Sequence, residues 1–321
     1  MQALPEKDQT LYSPNIDSEP LDEIFSGLTS SPKRINSKYF YDEYGSKLFD
    51  QITLLDEYYP TRTELSLLNR FATEIKEIAG QNIVLLEPGA GSCTKIRHLL
   101  PVLRPVCYVP IDISADYLFA AAEKLQREFE DIDVYPIADD MQSAIQLLPE
   151  FLDFSRMVFY PGSTIGNYTP EQAIDFLRHV RRTIGNDGSL LIGVDLQKDT
   201  DVLHRAYNDA SGTTAAFNLN CLNHINAVTD ANFDLTQFRH VAFYNEQDAR
   251  IEMHLESQVD QLVMLAGQAI PFNKGERILT EYSYKYTVDG FAELAAQAGL
   301  VLRKCWTDDE DLFSLQYYSA I

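Results

Sequence analysis

Between residues 82 and 196 the chain alternates short apolar runs with longer amphipathic ones. The runs NIVLLE (82–87), VCYVPID (106–112), DVYPIAD (133–139), RMVFYP (156–161) and SLLIGVDL (189–196) predict strands. The segments SADYLFAAAEKLQREF (114–129) and PEQAIDFLRHVRRTIG (170–185) carry apolar residues at helical spacing and predict helices between them. Ahead of this core, TRTELSLLNRFATEIKEIAG (61–80) predicts a helix. Thr61 and Glu64 read as its capping box, Leu68, Phe71, Ile75 and Ile78 as one face, and Gly80 as its stop. Such alternation predicts an α/β fold, a parallel sheet wound on both faces. Near the end, VDGFAELAAQAGL (288–300) predicts a helix, and LVLRKCW (300–306) and FSLQYYSA (313–320) predict two strands joined as a hairpin by TDDEDL.

The pattern breaks on either side of this core. The first 20 or so residues are polar, contain three prolines and show no period, which predicts an arm or loosely packed strap. Residues 197–286 abandon the alternation and are rich in Asn, Asp and aromatics. The expected organisation is an N-terminal arm and substrate-binding segment at 1–60, a core at 61–196, a substrate-binding insertion at 197–286, and the C-terminal part of the core at 287–321. At 321 residues, with 45% hydrophobic and 11% aromatic content, the chain can bury one large α/β core plus such an insertion.

The formal charge of −22 opposes binding to nucleic acid or to an anionic membrane, because an acidic surface repels phosphate, and it favours a small-molecule ligand. Cys93, Cys107, Cys221 and Cys305 lie far apart and read as ordinary reduced thiols, neither a disulfide framework nor a zinc site. The six histidines show no metal spacing; no metal is expected, and none of these residues is assigned to catalysis. With no signal-peptide pattern and no apolar stretch of about 20 residues, a cytoplasmic protein is expected, taken to act as a monomer.

In VLLEPGAGSCTKIRHLL (84–100), Gly89 and Gly91 allow the backbone to pass close to a ligand. Thr94 stands where a dinucleotide fingerprint needs a third glycine. Glu87 makes the pattern E-x-G-x-G, which resembles the S-adenosylmethionine loop of methyltransferases, although a merely structural turn fits it too. Asp112, ending the next strand, can accept both ribose hydroxyls. After the third strand, Asp140 can take the exocyclic amine of adenine, and Met141 can cover its ring. Each aspartate alone equally fits a solvated strand end or a helix cap. Together these positions point to S-adenosylmethionine, and a doubly wound sheet with a terminal antiparallel hairpin is the class I methyltransferase (Rossmann-like) arrangement.

With PGSTIGNYTP (161–170), the stretches KYFYDEYGSKLFDQIT (38–53), EYYPTRTE (57–64), RAYNDASGTTAAFN (205–218), RIEMHL (250–255) and LTEYSYKY (279–286) resemble the L-histidine Nα-methyltransferases of ergothioneine biosynthesis. The resemblance runs from about residue 25 to the C-terminus. It implies that Tyr58, Asn167 and Tyr207 hold the amino acid's carboxylate and that Glu281 and Ser283 bond its imidazole. It further implies that Tyr41 and Gly162 lie beside the α-amine, that Thr214 reaches the imidazole through water, and that Met253 walls the pocket. Gly89, Gly91, Lys95, Asp112, Asp140 and Met141 fall at cofactor positions. An acid is the natural acceptor for an imidazole N–H, and phenol and amide donors can orient a carboxylate. Taken singly, Tyr58 and Tyr207 also fit core tyrosines, Asn167 a helix N-cap, and Glu281 an exposed strand acid.

Methyl transfer from a sulfonium is an in-line displacement that needs a neutral amine aligned with the methyl carbon and water kept out. Tyr41 and Asn167 are the expected catalytic residues, with Tyr41 holding the nitrogen or relaying its proton through water. The resemblance implies three methylations, to the betaine hercynine. A methyltransferase of another small amine, a binding module without catalysis and a nicotinamide dehydrogenase are the competing readings.

Overall fold

The computed structural model describes residues 11–12, 20–139 and 153–321; Asp140 and Met141 lie outside them. In chain order, β1 (Leu11–Tyr12), α1 (Pro20–Thr29), β2 (Lys33–Arg34), α2 (Glu43–Ile52) and α3 (Tyr59–Ala79) lead into β3 (Ile83–Pro88), α4 (Leu100–Leu103), β4 (Cys107–Asp112), α5 (Ala115–Glu128), β5 (Asp133–Val134) and β6 (Ile137–Ala138). Then come β7 (Ser155–Tyr160), α6 (Pro170–Ile184), β8 (Ser189–Asp195), α7 (Thr200–Tyr207), α8 (Thr213–Thr229), β9 (Phe238–Asn245), β10 (Arg250–Ser257), β11 (Gln261–Leu265), β12 (Gln268–Phe272), β13 (Arg277–Tyr284), α9 (Val288–Ala296), β14 (Leu300–Thr307) and β15 (Phe313–Ala320). These elements form two units, one of Met1–Ile16, Pro60–Leu196 and Tyr286–Ile321, the other of Asp17–Tyr59 and Gln197–Lys285.

The first unit holds a nine-stranded sheet in the order β1-β6-β4-β3-β7-β8-β15-β14, with β5 also paired to β4. Pairing is parallel from β1 to β8, and β15 is antiparallel to both β8 and β14. The expected class I methyltransferase arrangement is therefore present, its terminal hairpin included. Every residue of β3 and β8 is buried, as strands covered on both faces must be. DVYPIAD splits into the two short strands β5 and β6 around Pro136, which has no N–H to give the ladder. Leu11 and Tyr12, read as part of a strap, instead pair with Ile137 and Ala138 at the sheet edge.

Helix α3 packs Leu67, Leu68, Ala72 and Ile75 into a core shared with Leu85, Phe159, Phe313 and Leu315. Two details of the expected helix change. Ile78 is exposed, so the apolar face ends a turn early. The helix starts at Tyr59, which leaves Thr61 inside it, and Glu64 closes no capping box but is fully buried. Gly80 ends the helix with φ +80°, a conformation that favours glycine.

In the second unit, β13, β10 and β9 are antiparallel neighbours, and β2 joins the edge parallel to β13. That pairing, and Asn220 Nδ2 donating to Asp42 Oδ1 (2.8 Å), bind residues 17–59 to residues 197–285. Helix α8 buries Phe217, Cys221, Leu222 and Ile225. Strands β11 and β12 form a separate hairpin. Among the described residues no helix is long and apolar enough to cross a membrane.

A Cβ on Gly193 of β8 would stand 2.0 Å from Glu64 Oε1 and 3.0 Å from the Phe313 ring. Gly193→Ala is expected to destabilise the first unit by about 1–3 kcal/mol, the usual cost of overpacking a core. A urea denaturation series of both proteins measures it, and an unchanged midpoint would show that Glu64 yields freely.

Candidate active site

In the first unit the site is built where strands end and loops begin. Gly89 and Gly91 both have positive φ, +70° and +49°, so the turn after β3 uses the freedom that glycine supplies. Gly89 N and Ala90 N donate to Ile111 O, and Gly91 N donates to Asp112 Oδ2 (3.0 Å). Asp112 Oδ1 accepts from Ser114 N (3.0 Å). One carboxylate at the end of β4 therefore fixes the glycine turn and the entry to α5, and each oxygen keeps a lone pair for a ligand hydroxyl.

Glu87 is buried, and Tyr108 OH donates to its Oε2 (2.5 Å). Burial pushes its carboxyl up to about 8, against that hydrogen bond and the charge of Lys95. At neutral pH the acid holds its proton, and a cationic ligand group beside it would favour ionisation.

Lys95 follows the turn on a short 3₁₀ segment, and its Nζ lies 2.6 Å from Glu64 Oε2. Both Glu64 oxygens accept from Gly162 N (2.9 Å each). Gly162 has φ +82°, and a Cβ there would come within 2.9 Å of Lys95 Nζ. Glu64 thus draws together Lys95, from the glycine turn, and Gly162, from the loop after β7. Asn167 ends the 3₁₀ turn of that same loop; the N-cap of α6 is Thr169, in a capping box with Gln172.

In the second unit the expected residues meet through rings and hydroxyls. Tyr41 packs edge-on against Phe49 (5.8 Å) and Phe217 (5.6 Å), and Tyr58 against Phe49 (6.3 Å) and Tyr207 (6.5 Å). At the end of α7, Tyr207 donates its OH to Ser283 Oγ (2.8 Å), and Lys285 Nζ donates to Ser283 Oγ (2.7 Å) and Tyr207 OH (3.2 Å). Met253 on β10 pairs in register with Glu281 on β13, and Ile251 with Ser283. Glu281 is half-buried, and burial pushes its carboxyl up to about 7, with the charge of Lys285 pulling the other way. Thr214 is buried in the first turn of α8, where Asp209 accepts its N–H (2.8 Å). Gly162 and Asn167 belong to the first unit; Tyr41, Tyr58, Tyr207, Thr214, Met253, Glu281 and Ser283 belong to the second.

Sequence reasoning missed Glu64, Phe49 and Lys285. Glu64 sat in a pattern that equally describes a helix cap, and nothing local marks Phe49. Lys285 carried a signal: in EYSYKY (281–286), the period-two spacing of a strand sets Glu281, Ser283 and Lys285 on one face. Among the described residues no three His, Cys, Asp or Glu side chains gather as a metal site requires.

The sequence profile of a family described as histidine-specific methyltransferase, SAM-dependent, matches residues 21–320. Over 299 residues the chain is 40% identical to a Mycolicibacterium smegmatis protein named histidine N-alpha-methyltransferase, covering 91% of this chain and 92% of that one. It is 38% identical, with the same coverage, to a Mycobacterium tuberculosis protein of the same name. Over 292 residues it is 29% identical to ergothioneine biosynthesis protein 1 of Neurospora crassa, spanning 86% of this chain and 32% of that one.

Asp112→Ala removes the acceptor of Gly91 N and Ser114 N. It is expected to weaken S-adenosylhomocysteine by about 1.5–3 kcal/mol, the scale of hydrogen bonds to a charged group. Glu64→Ala leaves Gly162 N–H and Lys95 without their acceptor and is expected to weaken the same ligand by about 1–3 kcal/mol. Isothermal titration measures both; wild-type affinity in either variant would remove that residue from the cofactor site.

Proposed function

Because the chain belongs to the family of histidine-specific, S-adenosylmethionine-dependent methyltransferases, we propose that it methylates the α-amine of L-histidine three times, giving hercynine, the first step of ergothioneine biosynthesis. The observation that carries the choice of substrate is the pair Glu281 and Ser283 on one face of β13, with Met253 opposite. An apolar side chain brought against Glu281 would desolvate the acid and offer it no donor, whereas an imidazole N–H offers one.

S-adenosylmethionine supplies the electrophilic methyl group. Lys95 and the acids Glu87 and Asp112 suit the amino-acid and ribose parts of that cofactor, and Asp140 and Met141 are assigned to its adenine. Tyr58, Tyr207 and Asn167 are assigned to the carboxylate of histidine, Gly162 to the neighbourhood of the amine, and Thr214 to a water-linked contact with the imidazole. An α-amine is largely protonated at neutral pH, so one proton must leave before each transfer. Tyr41, held edge-on by Phe49 and Phe217, is assigned to orient the nitrogen and pass that proton to water. No strong base is needed, since the displacement depends on alignment. The separated thiols and acidic composition support a reading as a cytoplasmic, monomeric enzyme acting on a small molecule.

The direct test incubates the protein with methyl-labelled S-adenosylmethionine and a pool of amino acids and reads products by mass; label confined to any amino acid but histidine would overturn the assignment. Tyr41→Phe is expected to shift the ratio of mono-, di- and trimethylated histidine more than it changes histidine binding. Glu281→Ala is expected to lower kcat/KM for histidine and narrow its margin over phenylalanine, and an unchanged ratio would place specificity elsewhere. The pH dependence has a defined sign. A raised Glu281 pKa means that the ionised acceptor is present above about pH 7 and is lost as the pH falls through it, so histidine affinity, read by titration at several pH values, should drop on the acid side.

A further inference from the structure

Glu64 lies inside α3 with its side chain fully buried, and glycines on two other elements make room for its ion pair with Lys95. On β8, a Cβ at Gly193 would stand 2.0 Å from Glu64 Oε1. In the loop after β7, a Cβ at Gly162 would come within 2.9 Å of Lys95 Nζ, which lies 2.6 Å from Glu64 Oε2.

The loop takes an uncommon conformation at the point where this pair holds it. Gly162 has φ +82° and Ser163 φ +55°, the second in a region that a residue with a side chain seldom occupies. Such a conformation persists where the surroundings fix it from more than one side. Gly162 N donates to both Glu64 oxygens (2.9 Å each), and Ser163 Oγ accepts from Asp195 N at the end of β8 (2.9 Å). The second anchor is the backbone of a sheet strand. The first ends on a lysine side chain, 21% exposed, that follows the glycine turn. An ammonium has three N–H donors, so Lys95 can bond Glu64 and a ligand carboxylate at once.

We infer that Glu64 is a positioning residue that passes occupancy of the cofactor site to the loop carrying Gly162 and Asn167. A cofactor carboxylate on Lys95 holds the lysine in place, the lysine holds Glu64, and Glu64 holds Gly162 and Ser163 in the conformation that presents the loop to the substrate amine. Whichever ligand binds first sets the loop for the other, so the gain in affinity is reciprocal. This link rests on the histidine reading above, in which Gly162 lies beside the amine, and it adds a residue that touches neither ligand.

Isothermal titration of the full-length protein with histidine, with and without saturating S-adenosylhomocysteine, measures the link. In the wild type histidine is expected to bind about fivefold or more tightly when S-adenosylhomocysteine is present, the lower end of ordinary coupling between sites. In Glu64→Gln either orientation of the carboxamide sets an NH2 group against Gly162 N–H, where each oxygen now accepts at 2.9 Å. The ratio of the two affinities is expected to fall below about twofold in that variant. A residue that only stabilised the fold would lower both affinities and leave their ratio alone, so an unchanged ratio in the variant overturns the inference. A wild type that binds histidine equally well, or less well, with S-adenosylhomocysteine present also overturns it. A further arm needs no variant: methylthioadenosine keeps the adenosine and the thioether but brings no carboxylate to Lys95. At saturation it is expected to change histidine affinity of the wild type by less than about twofold, and tightening equal to that by S-adenosylhomocysteine overturns the inference. Failure of histidine to bind the wild type under every condition overturns the histidine reading itself, which separates the two.

Discussion

A carboxylate taken out of water has to be met by donors or a cation, or else keep its proton. In a chain with 48 acidic residues against 26 basic ones, that constraint shapes both halves of the chemistry. Glu64 is met by a lysine and a backbone amide, and so ties two loops together. Asp112 is met by two amides and sets the glycine turn. Asp209 is met by the amides that open α8 and by Ser211, which outweigh its burial and hold it down at about 2. Glu87 and Glu281 are pushed up by burial, to about 8 and about 7. Both of these raised acids are among the residues assigned to ligands, as expected when strongly perturbed groups mark functional sites.

The sheet of the first unit was legible because its signals are local. Apolar runs of strand length, a glycine pair at the end of one of them and an aspartate at the end of the next can be read without knowing what packs against what. Local patterns also mislead. Thr61 and Glu64 have capping-box spacing, but the helix begins at Tyr59 and the glutamate is claimed by Gly162, nearly a hundred residues on. The second unit was readable only by resemblance, since its site depends on pairings distant in sequence: Tyr41 and Tyr58 meet over Phe49 and Phe217, and Tyr207 meets Ser283. Period-two spacing of Glu281, Ser283 and Lys285 was visible in the sequence, yet nothing local showed that this face of the strand was the buried one.

The proposed division of labour follows from the same physics. A sulfonium cofactor asks for a turn that approaches closely and for acids that tolerate positive charge, and both occur at the ends of parallel strands. An amino-acid substrate asks for a donor and an acceptor held at fixed separation. The antiparallel pair β10 and β13 offers a rigid face for them, with alternate side chains at regular spacing.

Strand β15 lies between β8 and β14, although both precede it in the chain. During synthesis β14 therefore emerges with no neighbour in the sheet to pair with, and β8 waits with one edge open through more than a hundred residues. The polypeptide made in that interval includes 197–285, which with residues 17–59 makes up the second unit. Closure of the sheet at β8 therefore has to wait for the last strand, and until then the unpaired edge of β8 is open to pairing with other chains.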